Sequence, residues 1–161
     1  FQPLGMARLA GSAGGRRKGM KAVLISIRPK WCQKIMSGQK TIEVRKTRPK
    51  MNPPFKCYIY QTGQGGVIGE FICDDIFERI VQVGTSCEKP KYCLCDWNMA
   101  CAPIDGMLED SCLTKEELEL YLDGTVGYGW HISNLKIYDT PRELREFGVN
   151  HPFQSWGYVY E

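Results

Sequence analysis

The sequence lacks several features that would assign it to a common class. It has no run of 18 apolar residues, so no membrane-spanning helix is expected. Its first 19 residues contain no continuous apolar segment of the length that a secretory signal needs. Only two histidines are present, and no Ser-His-Asp or Cys-His pattern stands out. Without a secretory signal, the eight cysteines indicate reduced thiols in a cytoplasmic protein rather than a disulfide scaffold.

A length of 161 residues fits one domain. Residues 1–19 are rich in Gly, Ala and Arg, and we interpret them as a disordered leader or an expression-derived tail. A basic arm that touches nucleic acid and a short targeting peptide are the alternatives. The folded domain is predicted at 20–161, with a cysteine-rich, irregular insertion at 84–111.

Charge is segregated along the chain rather than evenly mixed. The formal net charge is +3, yet four of the 21 basic residues and none of the 18 acidic residues lie in the first 19 positions. Segment 28–56 contains nine basic residues and one acid, whereas segment 70–123 contains thirteen acids and four bases. A basic segment of this density favours a phosphate-bearing ligand, and the alternative is a solvated basic face.

Short strands dominate the predicted secondary structure. Alternating apolar residues predict strands at 22–28, 41–46, 56–62, 67–73, 127–139 and 156–160. Capping and stop signals predict short helices at 29–37, 114–123 and 140–148. No βαβ rhythm and no internal repeat is present, so a parallel doubly wound sheet is not expected. The fold class is therefore α+β, a small mixed or antiparallel barrel with short flanking helices.

The segment from Gly38 to Arg45 concentrates the chemistry. Gly38 ends a predicted helix, Lys40 follows the turn, and Glu43 and Arg45 share one face of the next strand. An ammonium, a carboxylate and a guanidinium in one pocket can bind phosphate or carboxylate, or exchange protons if a pKa is shifted. The alternative is a surface ion pair between Glu43 and a neighbouring base.

These residues resemble a known family. The spacing Gly38-x-Lys40-x-x-Glu43-x-Arg45 matches the G-x-K-x-x-E-x-R signature of ASCH domains, and the flanking segments SIRPKWCQKIMSG, PFKCYIYQT and GGVIGEFIC support the match. The resemblance covers 20–161 except 84–111, and it is closest to the phage and gut-bacterial branch. It implies a PUA-like β-barrel with a cleft beside the first helix. It also implies RNA binding in RNA metabolism or translation-related regulation.

The resemblance also implies two enzyme alternatives. One branch of the family deacetylates acetylated cytidine with a Lys, a Thr three residues later, and a Glu on a later strand, and another member resembles a metal-dependent ribonuclease. Lys40 matches the Lys and Glu70 matches the later Glu, but Glu43 stands where the Thr would be. The candidate catalytic residues are Lys40, Glu43 and Glu70. We expect Glu70 to pair with Lys40 in the cleft, although a bulge at Gly69 would turn it to solvent.

Aromatic and basic residues complete the candidate ligand site. Aromatic faces stack on bases, so Tyr128 and Trp130 are candidates together with Trp31, and the alternative is that Trp130 is a core residue. The predicted RNA- or nucleoside-binding residues are Arg28, Lys30, Trp31, Lys40, Thr41, Arg45, Lys46, Tyr128, Trp130 and His131.

Four cysteines in the predicted insertion define a metal alternative. Their spacing, C-x5-C-x-C-x5-C, lacks the usual C-x2-C knuckle, so free thiols and no cofactor are expected, with a structural zinc as the alternative. The ligands of that zinc would be Cys87, Cys93, Cys95 and Cys101.

Three functional hypotheses follow from the sequence. The first is a monomeric module that binds RNA, a nucleoside or a nucleotide, without a membrane partner. The second is a small hydrolase that acts on a modified nucleoside or on RNA. The third is a phage-encoded protein-interaction module that uses the acidic half of the chain.

Overall fold

A computed structural model describes residues 19–82, 92–95, 101–103 and 105–161. Its strands are β1 Lys21–Ile27, β2 Ile42–Arg45, β3 Phe55–Gln61, β4 Gly66–Gln82, β5 Tyr92–Cys95, β6 Cys101–Pro103, β7 Gly127–Arg142 and β8 Trp156–Tyr160. Its helices are α1 Pro29–Met36, α2 Asp105–Ser111 and α3 Lys115–Leu122, together with a short 3-10 helix at Leu144–Phe147. None of the helices in these described ranges is long and apolar enough to cross a membrane.

The strands form one mixed sheet. Its main path runs β2-β7-β4-β3-β1-β8, and β5 extends it by pairing with β4 and β6. β1 and β3 are parallel, whereas the other described pairs are antiparallel. The predicted α+β class with short helices is confirmed. The predicted barrel is wrong, because β2 and β8 remain the two edges of the path and no backbone ladder joins them within the described residues.

β1 is a central strand between β3 and β8, and both of its faces are buried. Val23, Ile25 and Ile27 pack into the main core, as their period of two predicts. The intervening Ala22 and Leu24 pack on the opposite face. The strand is therefore a near-continuous buried run rather than a half-exposed one.

Two further clusters flank the main core. Ile42 and Val44 of β2 pack with Leu118 and Leu122 of α3, so this helix covers the outer face of β2. A third cluster covers the other side of β1 and β3, where Phe147 packs against Tyr58 with ring centroids 4.7 Å apart. The polar face of β2 consequently points towards the main core and α1.

Local signals set both ends of the segment before β2. Pro29 opens α1, where its fixed φ suits the first helical position. Gly38 has φ of +80°, a conformation that favours glycine, and it turns the chain out of the helix. The backbone N–H of Lys40 then donates to the Lys34 carbonyl at 3.0 Å, which aims Lys40 back across the end of α1.

The predicted irregular insertion contains regular structure where it is described. β5 and β6 pair with each other, with Cys95 opposite Cys101 in register, and α2 covers 105–111. An antiparallel ladder joins 92–95 to 101–103, a regular structure that the sequence pattern of 84–111 did not indicate. Residue Cys87, the side chains of the other predicted zinc ligands, and the predicted leader up to residue 18 lie outside the described residues.

Candidate functional site

Lys40, Glu43 and Arg45 form one buried triad of charges. The Lys40 Nζ lies 3.3 Å from Glu43 Oε2. Arg45 Nε donates to Glu43 Oε1 at 3.0 Å, and Arg45 Nη2 lies 2.9 Å from the same oxygen. Lys40 is 2% exposed and Glu43 is 6% exposed. Burial of three charges is tolerated only because they pair and share hydrogen bonds. The alternative of an exposed surface ion pair is therefore wrong.

Pairing between β2 and β7 places this triad beside an aromatic wall. Glu43 lies directly opposite Trp130, and Arg45 lies directly opposite Tyr128. Residues directly opposite each other in an antiparallel pair share a face of the sheet. The face of β2 that carries Glu43 and Arg45 is therefore also the face on which Trp130 and Tyr128 of β7 lie.

Arg45 also bridges the two edges of the open sheet. Its Nη2 donates to the Ser26 carbonyl of β1 at 2.7 Å, and its Nη1 donates to Ser155 Oγ at 3.1 Å. Next to it, Trp156 Nε1 donates to Thr47 Oγ1 at 2.9 Å. We call this line of side-chain contacts between the end of β2 and the start of β8 the seam. The planar guanidinium suits such a bridge because its donors point in fixed directions.

Lys40 has a second partner that fixes it in place. Its Nζ donates to the Ser111 carbonyl at the end of α2, at 2.6 Å. Glu43 Oε2 is buried and accepts no hydrogen bond, so its contact with Lys40 is an ion pair without hydrogen-bond geometry. The Lys40 ammonium therefore neutralises Glu43 and holds the end of α2, so few of its N–H donors remain for a ligand.

Two aromatic rings with exposed lysines flank the triad, and we call these four residues the rim. Two ammonium groups lie near the Trp31 ring, with Lys30 Nζ at 4.5 Å and Lys40 Nζ at 5.0 Å from its centroid. The Lys46 ammonium lies 5.3 Å from the centroid of the Tyr121 ring. Lys30 and Lys46 are exposed, and Trp31 is half-buried. Each ring thus lies beside an exposed cation.

Two neighbouring pKa values show how the triad acts on its surroundings. Burial, reinforced by the charge of Glu43, raises the pKa of the Cys32 thiol to about 12, so this thiol is protonated at neutral pH and is a poor nucleophile. Burial also raises the pKa of Tyr121, while the charges of Arg45 and Glu43 act on it in opposite directions. Tyr121 therefore presents a neutral hydroxyl beside the triad.

Glu70 lies outside this site. Its Oε2 accepts a hydrogen bond from the Tyr138 hydroxyl at 2.5 Å, and its Oε1 lies 3.5 Å from Lys56 Nζ. The predicted pairing of Glu70 with Lys40 is therefore wrong. The physical reason is a bulge at Gly69, where a Cβ would lie 2.5 Å from the Lys136 carbonyl oxygen.

This bulge also changes which side chains of β4 reach the core. The β3–β4 register shifts beside Gly69. Ile68 and Phe71 both lie in the main core, whereas Glu70 turns to the opposite face. The parity that Glu70 shares with Ile68 in the sequence is therefore lost across Gly69.

The opposite face yields a prediction about pH. A hydrogen bond from the Tyr58 hydroxyl, and next the charge of Lys56, hold the pKa of Glu161 below its ordinary value of 4.5. A carboxyl whose pKa is lowered by folding stabilises the fold above its unfolded pKa and loses that contribution as pH falls through the folded pKa. We expect the thermal midpoint of Glu161→Gln to decline less steeply than that of the wild type below about pH 4.5. The corresponding change in the free energy of unfolding is no more than about 1 kcal/mol, because solvent screens the group.

Thermal unfolding followed by circular dichroism between roughly pH 6 and pH 3 tests this expectation. Glu109→Gln, at an exposed position of α2, is the matched control. Equal pH profiles for Glu161→Gln and the wild type would contradict it.

The remaining predicted ligand residues are dispersed. Arg28 is exposed before α1, and Thr41 is half-buried and bonds through its backbone to α2. Trp130 is fully buried in the main core, so it does not present a face for stacking. His131 shares a face with Ile42, away from the triad, and its Nδ1 lies 2.6 Å from Asp74 Oδ1.

Sequence reasoning missed four residues that complete the site: Ser26, Ser111, Tyr121 and Ser155. Two of them act through backbone carbonyls, which carry no side-chain signal. Ser155 is 110 positions from Arg45, so no local spacing could relate them. Tyr121 stands on the predicted helix 114–123, and an aromatic residue there indicates ordinary helix packing.

No group of His, Cys, Asp or Glu in the described part of the chain has the arrangement of a metal site. The predicted zinc cysteines fall largely outside that part, so the zinc alternative stays a prediction.

A mixed sheet flanked by short helices, with a charged site beside the first of them, places the chain in the α+β class. The sequence model of the ASCH domain matches residues 25–121, which is more than half of the chain. The chain therefore belongs to the ASCH domain family, whose members generally bind RNA. The family predicted from the signature is confirmed, whereas phage or gut-bacterial origin stays a prediction.

Solved structures support the same fold. The chain is similar to ASCH from Zymomonas mobilis, with a TM-score of 0.64 and 19% identity over 87% of this chain and 88% of that chain. A Tyr-to-Phe variant of that protein matches with a TM-score of 0.64 and 17% identity, over 87% and 91% of the two chains. A Ser-to-Ala variant matches with a TM-score of 0.64 and 18% identity, over 89% and 92%. Likeness at these identities shows the fold alone, and no curated protein matches the chain.

Proposed function

We propose that the chain binds RNA, or a nucleoside or nucleotide derived from it, at the rim around the buried triad. The observation that carries this proposal is the pairing of each rim ring with an exposed lysine, Trp31 with Lys30 and Tyr121 with Lys46. A ring supplies a stacking face for a base, and the lysine beside it supplies a phosphate contact. The general RNA binding of the family supports the same interpretation.

The triad and the rim have different roles in this proposal. The triad charges are buried and engaged with one another, with Ser111 and with Ser26, so they hold the rim elements in position. Lys40 holds the first turn of α1 through its contact with the Trp31 ring. The rim lysines remain exposed and meet the ligand. Binding by the rim therefore does not require any buried charge to lose its partner.

The surrounding surface has the charge that this ligand needs. Within the basic segment 28–56, five bases are exposed, and the one acid, Glu43, is buried against two of the other bases. Their combined field attracts a polyanion and makes its affinity depend on salt. The exposed bases of this segment are Arg28, Lys30, Lys34, Lys46 and Lys50.

The proposal predicts a salt-dependent affinity that the rim lysines control. For a fluorescein-labelled oligouridylate, the double variant Lys30→Gln/Lys46→Gln should bind more weakly. Its plot of log affinity against log salt should be shallower by about 1.4, at roughly 0.7 for each phosphate of a single strand that the variant no longer neutralises. Fluorescence anisotropy over a series of salt concentrations measures both quantities.

Lys136→Gln is the matched control, because Lys136 is exposed on the opposite face near Glu70. It should leave the slope unchanged. The proposal fails if the wild type does not bind the oligonucleotide, or if the rim variant and the control have the same slope.

A further inference from the structure

We propose that β8 extends the rim into a path for single-stranded RNA several nucleotides long. This inference rests on the proposed function and adds that the ligand is a strand rather than one nucleotide. The path consists of three aromatic residues, Trp156, Tyr158 and Tyr160, together with Lys21 and Lys50. We call these five residues the β8 strip.

The three rings line one face of an edge strand. Residues at positions i and i+2 of a strand share a face and stand about 6.6 Å apart. Pairing with β1 places Tyr158 opposite Val23 and Tyr160 opposite Lys21, so these side chains share that face. Exposure increases along the strip, from half-buried Trp156 and Tyr158 to Tyr160 at 53%.

The strip is continuous with the triad. The Trp156 ring meets the Trp130 ring edge to face at 5.8 Å, and Trp130 lies opposite Glu43. Trp156 also donates to Thr47, which follows the rim residue Lys46. From Trp156, a second edge contact of 5.5 Å leads to Tyr158. The exposed link between the rim and β8 is the Trp156–Thr47 contact, along which we expect a bound strand to continue.

The charges of the strip match a polyanion. The Lys21 ammonium lies 3.7 Å above the Tyr158 ring, and the backbone N–H of Lys50 donates to the Tyr158 hydroxyl at 2.8 Å. Among the described carboxylates, none forms an ion pair with Lys21 or Lys50. Glu161, the acid that follows Tyr160 in the sequence, contacts Lys56 and Tyr58 on the other face of the sheet.

Rings interleaved with cations are what single-stranded nucleic-acid sites use, because every base has a face that stacks. An unpaired edge strand would also accept a second copy of this chain. The basic charge favours RNA, since two copies would bring the same lysines together. The oligomeric state is therefore one readout of the test.

The experiment compares uridine 5′-monophosphate with a decamer of uridine on the full chain, by isothermal titration and anisotropy. The wild type should bind the decamer more tightly than the mononucleotide. Tyr160→Ala/Lys21→Gln should weaken decamer binding by about tenfold or more, at roughly 1–3 kcal/mol for each stack removed, and should leave the mononucleotide affinity unchanged. Lys21→Gln alone keeps the ring and should give a smaller loss.

The outcomes separate this inference from the proposed function. If the wild type binds both ligands equally, or if the double variant binds both as tightly as the wild type, the strip is not a binding path while the rim proposal stands. If the wild type binds neither ligand, both proposals fail. A dimer that Tyr160→Ala dissociates, with decamer binding unchanged, overturns the RNA path in favour of a second copy. Lys136→Gln serves as the control for charge alone.

Discussion

Glu43→Ala should lower the free energy of unfolding by about 3–5 kcal/mol, because it leaves two buried cations without their shared partner. Lys40 and Arg45 would then repel each other in a site with little water. The loss corresponds to a fall of roughly 10 °C in the thermal midpoint for a chain of this length. Calorimetry or chemical unfolding of the variant measures it directly.

The control is an ion pair of the same kind on the surface. Glu78 pairs with Arg48, but its side chain is 49% exposed, so Glu78→Ala should change stability by no more than about 1 kcal/mol. Glu43→Gln keeps the volume of the side chain and removes only the charge. Its loss of stability should fall between those of Glu43→Ala and Glu78→Ala. Equal losses for Glu43→Ala and Glu78→Ala would show that the triad does not carry this part of the stability.

Trp130→Ala should cost a comparable amount, about 3–5 kcal/mol, because the ring is fully buried and its removal leaves a large cavity. Trp130 contacts Phe55 edge to face at 6.0 Å as well as Trp156. Its loss would therefore disturb the main core and the start of β8 together. Urea unfolding monitored by circular dichroism would measure the change.

Trp31→Ala separates the core tryptophan from the rim tryptophan. Trp31 is only half-buried, so its substitution should cost less stability than that of Trp130 while weakening RNA binding by about tenfold or more. The contrast fails if Trp31→Ala unfolds the protein as severely as Trp130→Ala, or if it binds RNA like the wild type.

Local patterns predicted the parts of the fold that local physics decides. The alternation in β1 identified its core residues, and the signature correctly placed Lys40, Glu43 and Arg45 in one site. Both depend on periodicity and on a turn at Gly38, which neighbouring residues determine. The same signals predicted α1 and α3, and the structure confirms them.

What the sequence could not predict depends on distant parts of the chain. The position of Glu70 changes because Gly69 lies against the Lys136 carbonyl, a contact between strands that are far apart in sequence. Sheet closure was predicted from the pattern of short strands and from the family, yet whether two edge strands meet is a property of the whole sheet. Trp130 was predicted as a stacking residue, with a core residue as the alternative, and the choice depends on the distant rings of Phe55 and Trp156 that pack against it.

The seam gives the domain a gap whose width is determined by side chains. A backbone ladder would hold β2 and β8 at a fixed spacing of about 4.8 Å. Here two side-chain contacts hold them instead, Arg45 with Ser155 and Trp156 with Thr47, and each of these side chains can be substituted singly in evolution. Longer or shorter residues there would open or narrow the gap with the sheet otherwise unchanged. Domains of this architecture can therefore diversify in ligand size without rebuilding their fold.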